Sequence, residues 1–220
     1  MAWPVGDIGW QRIGYRSLAR VPSVDGMPMN LIHRRICSSE KWAATVEERL
    51  TPWLARHDLG DDVLEIGPGF GATTKVLLKA VPKLTVLEID PASTALLREK
   101  FGTRADVVEG SGAEMPFESG RFSAVVCFTM LHHVPTTALQ DAIFAEAARV
   151  LRPGGKFCGS DGQLNLRFRL LHIGDTMNVI DPATFPARLE KAGFEQVDVQ
   201  VEPKQLVIFS ATKLVSGKAG

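Results

Sequence analysis

Residues 62–74 read DVLEIGPGFGATT. Val63, Leu64 and Ile66 form the apolar end of a buried strand, and Gly67, Gly69 and Gly71 alternate with Pro68 and Phe70 in a turn that opens into a helix. Glycine at these positions lets the chain turn tightly and lets a ligand approach the main chain where a side chain would stand in its way. The free amides of the following helix N-terminus then face that ligand. A strand, a glycine turn and a helix in this order make a cofactor site on an α/β sheet.

The glycines alone do not choose the cofactor. Gly67, Gly69 and Ala72 also satisfy the G-x-G-x-x-G/A dinucleotide pattern, and Glu88 lies about 20 residues downstream, where a ribose-binding acid is expected. Glu65 argues against a dinucleotide such as NAD. A carboxylate at the mouth of the turn repels a pyrophosphate but attracts the ammonium of a nucleoside that carries an amino acid. S-adenosylmethionine (SAM) has that ammonium and no phosphate.

From Glu65 to Gly71, EIGPGFG resembles the E/D-x-G-x-G-x-G first motif of the class I SAM-dependent methyltransferases, in particular their quinone and natural-product branch. The resemblance implies SAM as cofactor, with Glu65, Gly67, Pro68, Gly69 and Gly71 in its binding turn. Residues 84–90, LTVLEID, resemble the second strand of that family and imply that Glu88 binds the ribose hydroxyls beside Ile89, with Asp90 the neighbouring alternative. Residues 110–117, GSGAEMPF, resemble the G-D-A-x-x-L-P-F stretch around the adenine, and residues 122–134, FSAVVCFTMLHHV, resemble the fourth strand and its exit, with Phe128 at the cofactor. Residues 149–156, RVLRPGGK, resemble the L-x-P-G-G turn into the fifth strand. The family's adenine-binding Asp falls on Ser111, whose hydroxyl makes a hydrogen bond but carries no charge, so the backbone amides of Gly112 and Ala113 are left to grip the base. The Asp that often follows the fourth-strand Phe is Ser123, a structural position.

Strand and helix patterns alternate along the rest of the chain and predict an α/β fold: a doubly wound, Rossmann-like, seven-stranded, mostly parallel sheet. Residues 196–201 and 206–212 read as a hairpin, which makes the last strand antiparallel, as the resemblance also implies. Residues 1–28 read as an extension that is disordered or precedes the true start at Met27 or Met29, and residues 29–220 as one domain. Leu31, Ile32, Ile36, Trp42, Val46, Leu50, Trp53 and Leu54 recur at helical steps; helices at this place in the family commonly cover the cofactor, or else Trp42 and Trp53 pack on the sheet. His33, Arg34 and Arg35 form a small basic cluster, either facing an anionic substrate or solvated. Residues 162–182 carry more apolar side chains than a solvated loop and read as a partly helical roof over an apolar pocket, with Arg167 and Arg169 at its rim, or else as a connection packed on the core.

Lys plus Arg equals Asp plus Glu, so the net charge is zero and no long-range field draws the protein to nucleic acid or an anionic membrane. A small, apolar or amphipathic acceptor is expected, with no nucleic-acid partner and no stable membrane insertion. Cys37, Cys127 and Cys158 lack metal-ligand spacing and read as reduced thiols of a cytoplasmic protein.

Methyl transfer is a displacement in which proximity and alignment supply ~7 to 11 kcal/mol, and a base is needed only where the acceptor must lose a proton. His132 and His133, at the exit of the fourth strand, are the first candidates, with Asp161 at the end of the fifth strand next and His172 and Asp175 in the roof after them. His133 is placed near substrate or cofactor, or else at least one ring of the pair shapes the loop, as L-H-H-V-like sequences across the family imply. No metal site is expected, because an extended His132-His133 pair points to opposite sides and no third ligand is spaced to join it. The function expected is methyl transfer from SAM to oxygen or carbon of a small molecule. The alternatives are SAM binding without catalysis, an NAD-linked enzyme, and nucleic-acid methylation, although FTML at 128–131 lacks the Asn-Pro-type motif that grips a flipped adenine.

Overall fold

The computed structural model describes residues 30–202 and 206–215. The proposed 1–28 extension and the tip of the last hairpin lie outside the described residues. Seven strands form one sheet in the order β3-β2-β1-β4-β5-β7-β6. They are β1 (Val63–Ile66), β2 (Leu84–Glu88), β3 (Asp106–Glu109), β4 (Phe122–Phe128), β5 (Leu151–Gly162), β6 (Phe194–Glu202) and β7 (Leu206–Lys213). The pairs β1·β2, β1·β4, β2·β3 and β4·β5 are parallel, while β7 runs antiparallel to both β5 and β6. The predicted doubly wound sheet with its antiparallel final strand is therefore present.

The central strands are buried along their whole length, as a parallel sheet covered on both faces requires. The pleat divides their side chains between two cores. Leu64, Ile66, Leu87 and Val125 pack with Phe144 and Ala147 of α5 (Thr137–Val150) and Phe185 of α7 (Phe185–Lys191). Val63, Val86, Ala124 and Val126 face the other way, onto Leu77 of α3 (Ala72–Ala80) and Leu97 and Phe101 of α4 (Pro91–Phe101). Pro91 opens α4 behind Asp90, whose carboxylate accepts the Ser93 amide at 2.8 Å. Gly193, at φ +100°, stops α7.

Two boundaries differ from the sequence reading. The helical stretch after Met29 is two helices, α1 (Leu31–Cys37) and α2 (Glu40–Leu54), because the Ser39 hydroxyl accepts the Trp42 amide at 3.2 Å and starts a new helix. β5 begins at Leu151 rather than at Lys156. Leu151 pairs with Phe122 and pairing resumes at Lys156 opposite Ala124, so the Arg-Pro-Gly-Gly segment bulges from a strand it belongs to. The 162–182 segment contains α6 (Leu166–Leu171), none of whose residues is buried. The segment is thus partly helical, while its Ile180 packs into the core.

Candidate active site

One cavity of about 1310 Å³ opens above the carboxyl ends of β1, β2, β4 and β5. Gly67, Pro68, Gly69, Glu88 and Ile89 line one end, and Ser111, Gly112 and Ala113 the wall beyond them. Phe128, Thr129 and Met130 lead from there to His132 and His133. Trp42 and Val46 of α2, and Leu164, Phe168 and Leu171 of the roof, close it from above. Residues of α1 and α2 thus line the cavity, while Trp53 of α2 packs against the core.

The three glycines of the turn have different duties. All take left-handed φ values, +62° at Gly67, +56° at Gly69 and +81° at Gly71. A Cβ on Gly69 would meet nothing within 4 Å, so this peptide faces open space. A Cβ on Gly67 would lie 2.3 Å from Met130 Cγ, and one on Gly71 would lie 2.5 Å from the Phe101 ring. Gly71 therefore admits α4 against the turn, and it does not line the cavity.

Glu65 stands beneath the turn, and not at its mouth as the sequence reading placed it. The residue is only 1% exposed and is absent from the cavity wall. One carboxylate oxygen accepts the Thr73 hydroxyl and the other accepts the Thr74 hydroxyl at 2.6 Å. Burial pushes its carboxyl up to about 7, against the lowering effect of the two hydroxyls. Glu88 does reach the cavity. Its oxygens accept the amides of Gly69 and Asp90, each at 3.0 Å, and burial raises its carboxyl above the usual range. Asp90 lines the cavity too, but its carboxylate is committed to capping α4. The Ala113 amide donates to Ser111 Oγ at 3.1 Å, which ties that loop to itself.

At the other end the chain gathers four imidazoles. Residues 131–133 form a 3-10 turn, which brings the His132 and His133 ring centroids to 4.1 Å. The extended geometry expected for the pair is absent for that reason. His132 is buried; its Nδ1 and its amide both bond to Asp161, the amide at 3.0 Å. Asp161 also accepts the Gly162 amide at 2.6 Å and lies behind His132, away from the cavity. His172 Nε2 is 3.2 Å from His132 Nε2, and its Nδ1 is 2.7 Å from the Phe168 carbonyl. His33 comes from α1, its Nδ1 2.8 Å from Asp175 Oδ2. Asp175 Oδ1 accepts the Asn30 amide at 2.5 Å, and the Asn30 side chain donates to the Leu171 carbonyl at 2.7 Å. The roof and α1 are clamped together through Asp175 and Asn30. Burial first, then the neighbouring imidazoles, push His133 down to about 2, and burial also lowers His172. Burial and Asp175 raise the Cys37 thiol in the wall to about 11.

The absence of a third imidazole near the pair is thus corrected. Nitrogens of His33, His133 and His172 all lie within 4.8 Å of one another. The chain supplies them from α1, the 3-10 turn and the roof, and no local spacing reports such a gathering. Of the basic cluster, Arg34 lines the cavity and lies 5.8 Å over the Phe70 ring of the glycine turn, whereas Arg35 is exposed. Thr129 was missed altogether: it holds φ +51° at the end of β4, a left-handed conformation uncommon outside glycine, in the cavity wall. Only the position after an apolar strand end hinted at it.

Residues 64–159 match the family model described as a methyltransferase domain. The chain carries a class I SAM-dependent methyltransferase domain. A ubiquinone biosynthesis O-methyltransferase of Xanthomonas oryzae is 30% identical over 161 residues, covering 69% of this chain and 62% of that protein. A ribosomal RNA small subunit methyltransferase A of Cupriavidus pinatubonensis is 43% identical, but over 70 residues, 31% of this chain and 24% of its own length. Among solved structures, a trans-methyltransferase in complex with S-adenosylhomocysteine (SAH) superposes with a TM-score of 0.63 at 19% identity, covering 82% of this chain and 58% of that one. The chain spans about 60% of the length of the curated relatives that align with most of it. Among the described residues no helix is long and apolar enough to cross a membrane.

Proposed function

We propose that this methyltransferase domain moves a methyl group from SAM to an oxygen or carbon of a small, largely apolar acceptor. One observation carries the reading. A single cavity of about 1310 Å³ joins the glycine turn and Glu88 at one end to the histidines under the apolar roof at the other. Pockets for one drug-sized ligand measure about 300–1,000 Å³, so this volume suits a nucleoside cofactor and an acceptor end to end.

The residues at the first end fit SAM. The open face of Gly69 admits a ligand to the main chain, and Glu88 beside it offers carboxylate oxygens to a ribose. Gly112 and the Ser111 loop form the wall for a base, and Phe128 also lines the cavity. Bound there, SAM supplies an electrophilic methyl group. The chain's own part is to align the acceptor, keep water out under the roof, and take a proton from a hydroxyl acceptor. His132 suits that last task. Asp161 fixes its Nδ1 as the donor and stabilises the imidazolium that forms when Nε2 takes the proton. His133, held neutral down to about pH 2, is a weak base and serves as wall and neighbour.

Roofing by Leu164, Phe168 and Leu171, with a net charge of zero, favours a small acceptor over RNA. The name of the Xanthomonas relative agrees with that choice. Calorimetric titration of SAM and SAH into wild type and Glu88→Ala, with NAD as control, tests the cofactor end. Transfer of labelled methyl from SAM to a panel of hydroxylated aromatic and aliphatic molecules, with an RNA duplex alongside, tests the acceptor end. SAM binding lost in the variant, with label in a small molecule, is the expected result. Preferential NAD binding, or label in RNA alone, overturns the proposal, and SAM binding without label in any acceptor reduces it to a binding protein.

A further inference from the structure

We propose that His33, His133 and His172 bind a divalent transition-metal ion of the zinc class at the acceptor end of the cavity, with one coordination position left for an acceptor oxygen. The site rests on the methyl-transfer reading for its purpose, though not for its geometry. Nitrogens of the three rings already lie within 4.8 Å of one another, and a tetrahedral ion with bonds of about 2.0–2.1 Å needs them only modestly closer.

Metal-ligating histidines almost always direct their second nitrogen at an oxygen acceptor, which orients the ring and fixes its tautomer. Two of the three rings do so here. His33 Nδ1 meets Asp175 Oδ2 at 2.8 Å and His172 Nδ1 meets the Phe168 carbonyl at 2.7 Å. A carbonyl or a carboxylate accepts only, so His172 and His132 both donate through Nδ1. Their Nε2 lone pairs therefore face each other at 3.2 Å. Two lone pairs so close, in a buried place, need a positive charge beside them.

Charge balance points the same way. Three neutral imidazoles add no charge to a dication, while Asp175 behind His33 supplies a carboxylate one shell out and Asp161 behind the neighbouring His132 supplies a second nearby. An all-imidazole donor set selects zinc, cobalt, nickel or copper over magnesium or calcium, which take oxygen ligands. The three ligands come from α1, the turn after β4 and the roof, so the ion would also fasten the roof over the acceptor. The acceptor is then a molecule with a hydroxyl on a flat or apolar body. Such an ion would acidify an acceptor hydroxyl held there, and His132 Nε2 would take the proton released as the oxygen bonds to the methyl carbon, with the C–S electron pair left on sulfur as SAH.

The test uses tag-free protein freed of metal by chelator and titrated with Co²⁺, whose visible bands report tetrahedral coordination, followed by displacement with Zn²⁺. SAM binding to the metal-free protein is measured by calorimetry in parallel. The expected result is one cobalt per chain with tetrahedral bands, abolished in His172→Ala and His33→Gln and unchanged in His57→Ala, which lies outside the cluster against Trp53. Asp175→Asn should weaken affinity roughly 10- to 100-fold, as loss of an outer-shell partner does. Each variant's SAM affinity certifies its fold. Protein that binds SAM but shows no saturable cobalt bands, or bands indifferent to His172→Ala and His33→Gln, overturns the metal site and leaves the facing nitrogens to a shared proton. Cobalt bands without SAM binding uphold the metal site and sink the methyl-transfer reading instead.

Discussion

Glu65 offers a test of whether burial, rather than ligand binding, governs the first motif position. Its carboxyl is raised from 4.5 to about 7 in the folded chain, with burial as the largest cause. An acid with a raised folded value is protonated in the native state while ionised in the unfolded one, so the native state binds the extra proton between those two values. Stability from this group is therefore unaffected below about pH 4.5, falls as pH rises toward 7, and stays lowered above it. At about 1.4 kcal/mol for each tenfold change in proton affinity, the loss amounts to about 3 kcal/mol. Glu65→Gln keeps the shape and an acceptor for a threonine hydroxyl but has no charge to bury. Urea unfolding of both proteins, metal-free and ligand-free, from pH 4.5 to 8 isolates the group together with its coulombic coupling to Glu88, the smallest cause of its shift, because the histidines contribute equally to each. The stability of the variant relative to wild type should rise by about 3 kcal/mol across that range. A difference that stays constant to within about 1 kcal/mol would refute the reasoning, because the carboxyl would then hold its proton less than tenfold more tightly in the folded chain than in the unfolded one.

The glycine turn separates ligand space from packing. Gly69→Ala places its Cβ in open space and should cost only about 1 kcal/mol of backbone strain, yet weaken SAM binding strongly in calorimetry. Gly71→Ala drives a Cβ to 2.5 Å from the Phe101 ring and should destabilise by about 2 kcal/mol or more, with its residual folded fraction still binding SAM. Equal effects of the two on affinity would show that the turn's positions are not divided in this way. Asp161→Asn removes the carboxylate behind His132 and should lower the rate of methyl transfer to a hydroxyl acceptor by about 10² or more at unchanged SAM affinity. A carbon acceptor that is already acidic should feel less of that loss, which the same rate assay reads directly.

How far the molecule was legible in its sequence depended on how local each feature is. The glycine turn is written within a few residues, where turn chemistry acts, and its glycines take the left-handed conformations that such a turn needs. Glu65 was located but misaimed. An acid inside an apolar run reads as a group facing a ligand, yet every residue of β1 is buried, and the partners that tolerate a carboxylate there stand eight and nine residues later at Thr73 and Thr74. That pair of hydroxyls after the turn was the available signal. The histidine cluster had none, because residues 33, 133 and 172 meet only after α1 docks on the roof through Asn30 and Asp175 and both close over the carboxyl ends of the strands. A cofactor turn is built by one segment and is therefore conspicuous, whereas the acceptor end is built by segments that topology brings together. The chemistry particular to this chain resides in the second kind of place, so His33 and His172, rather than the glycines, are the positions whose substitution will say most about what it methylates.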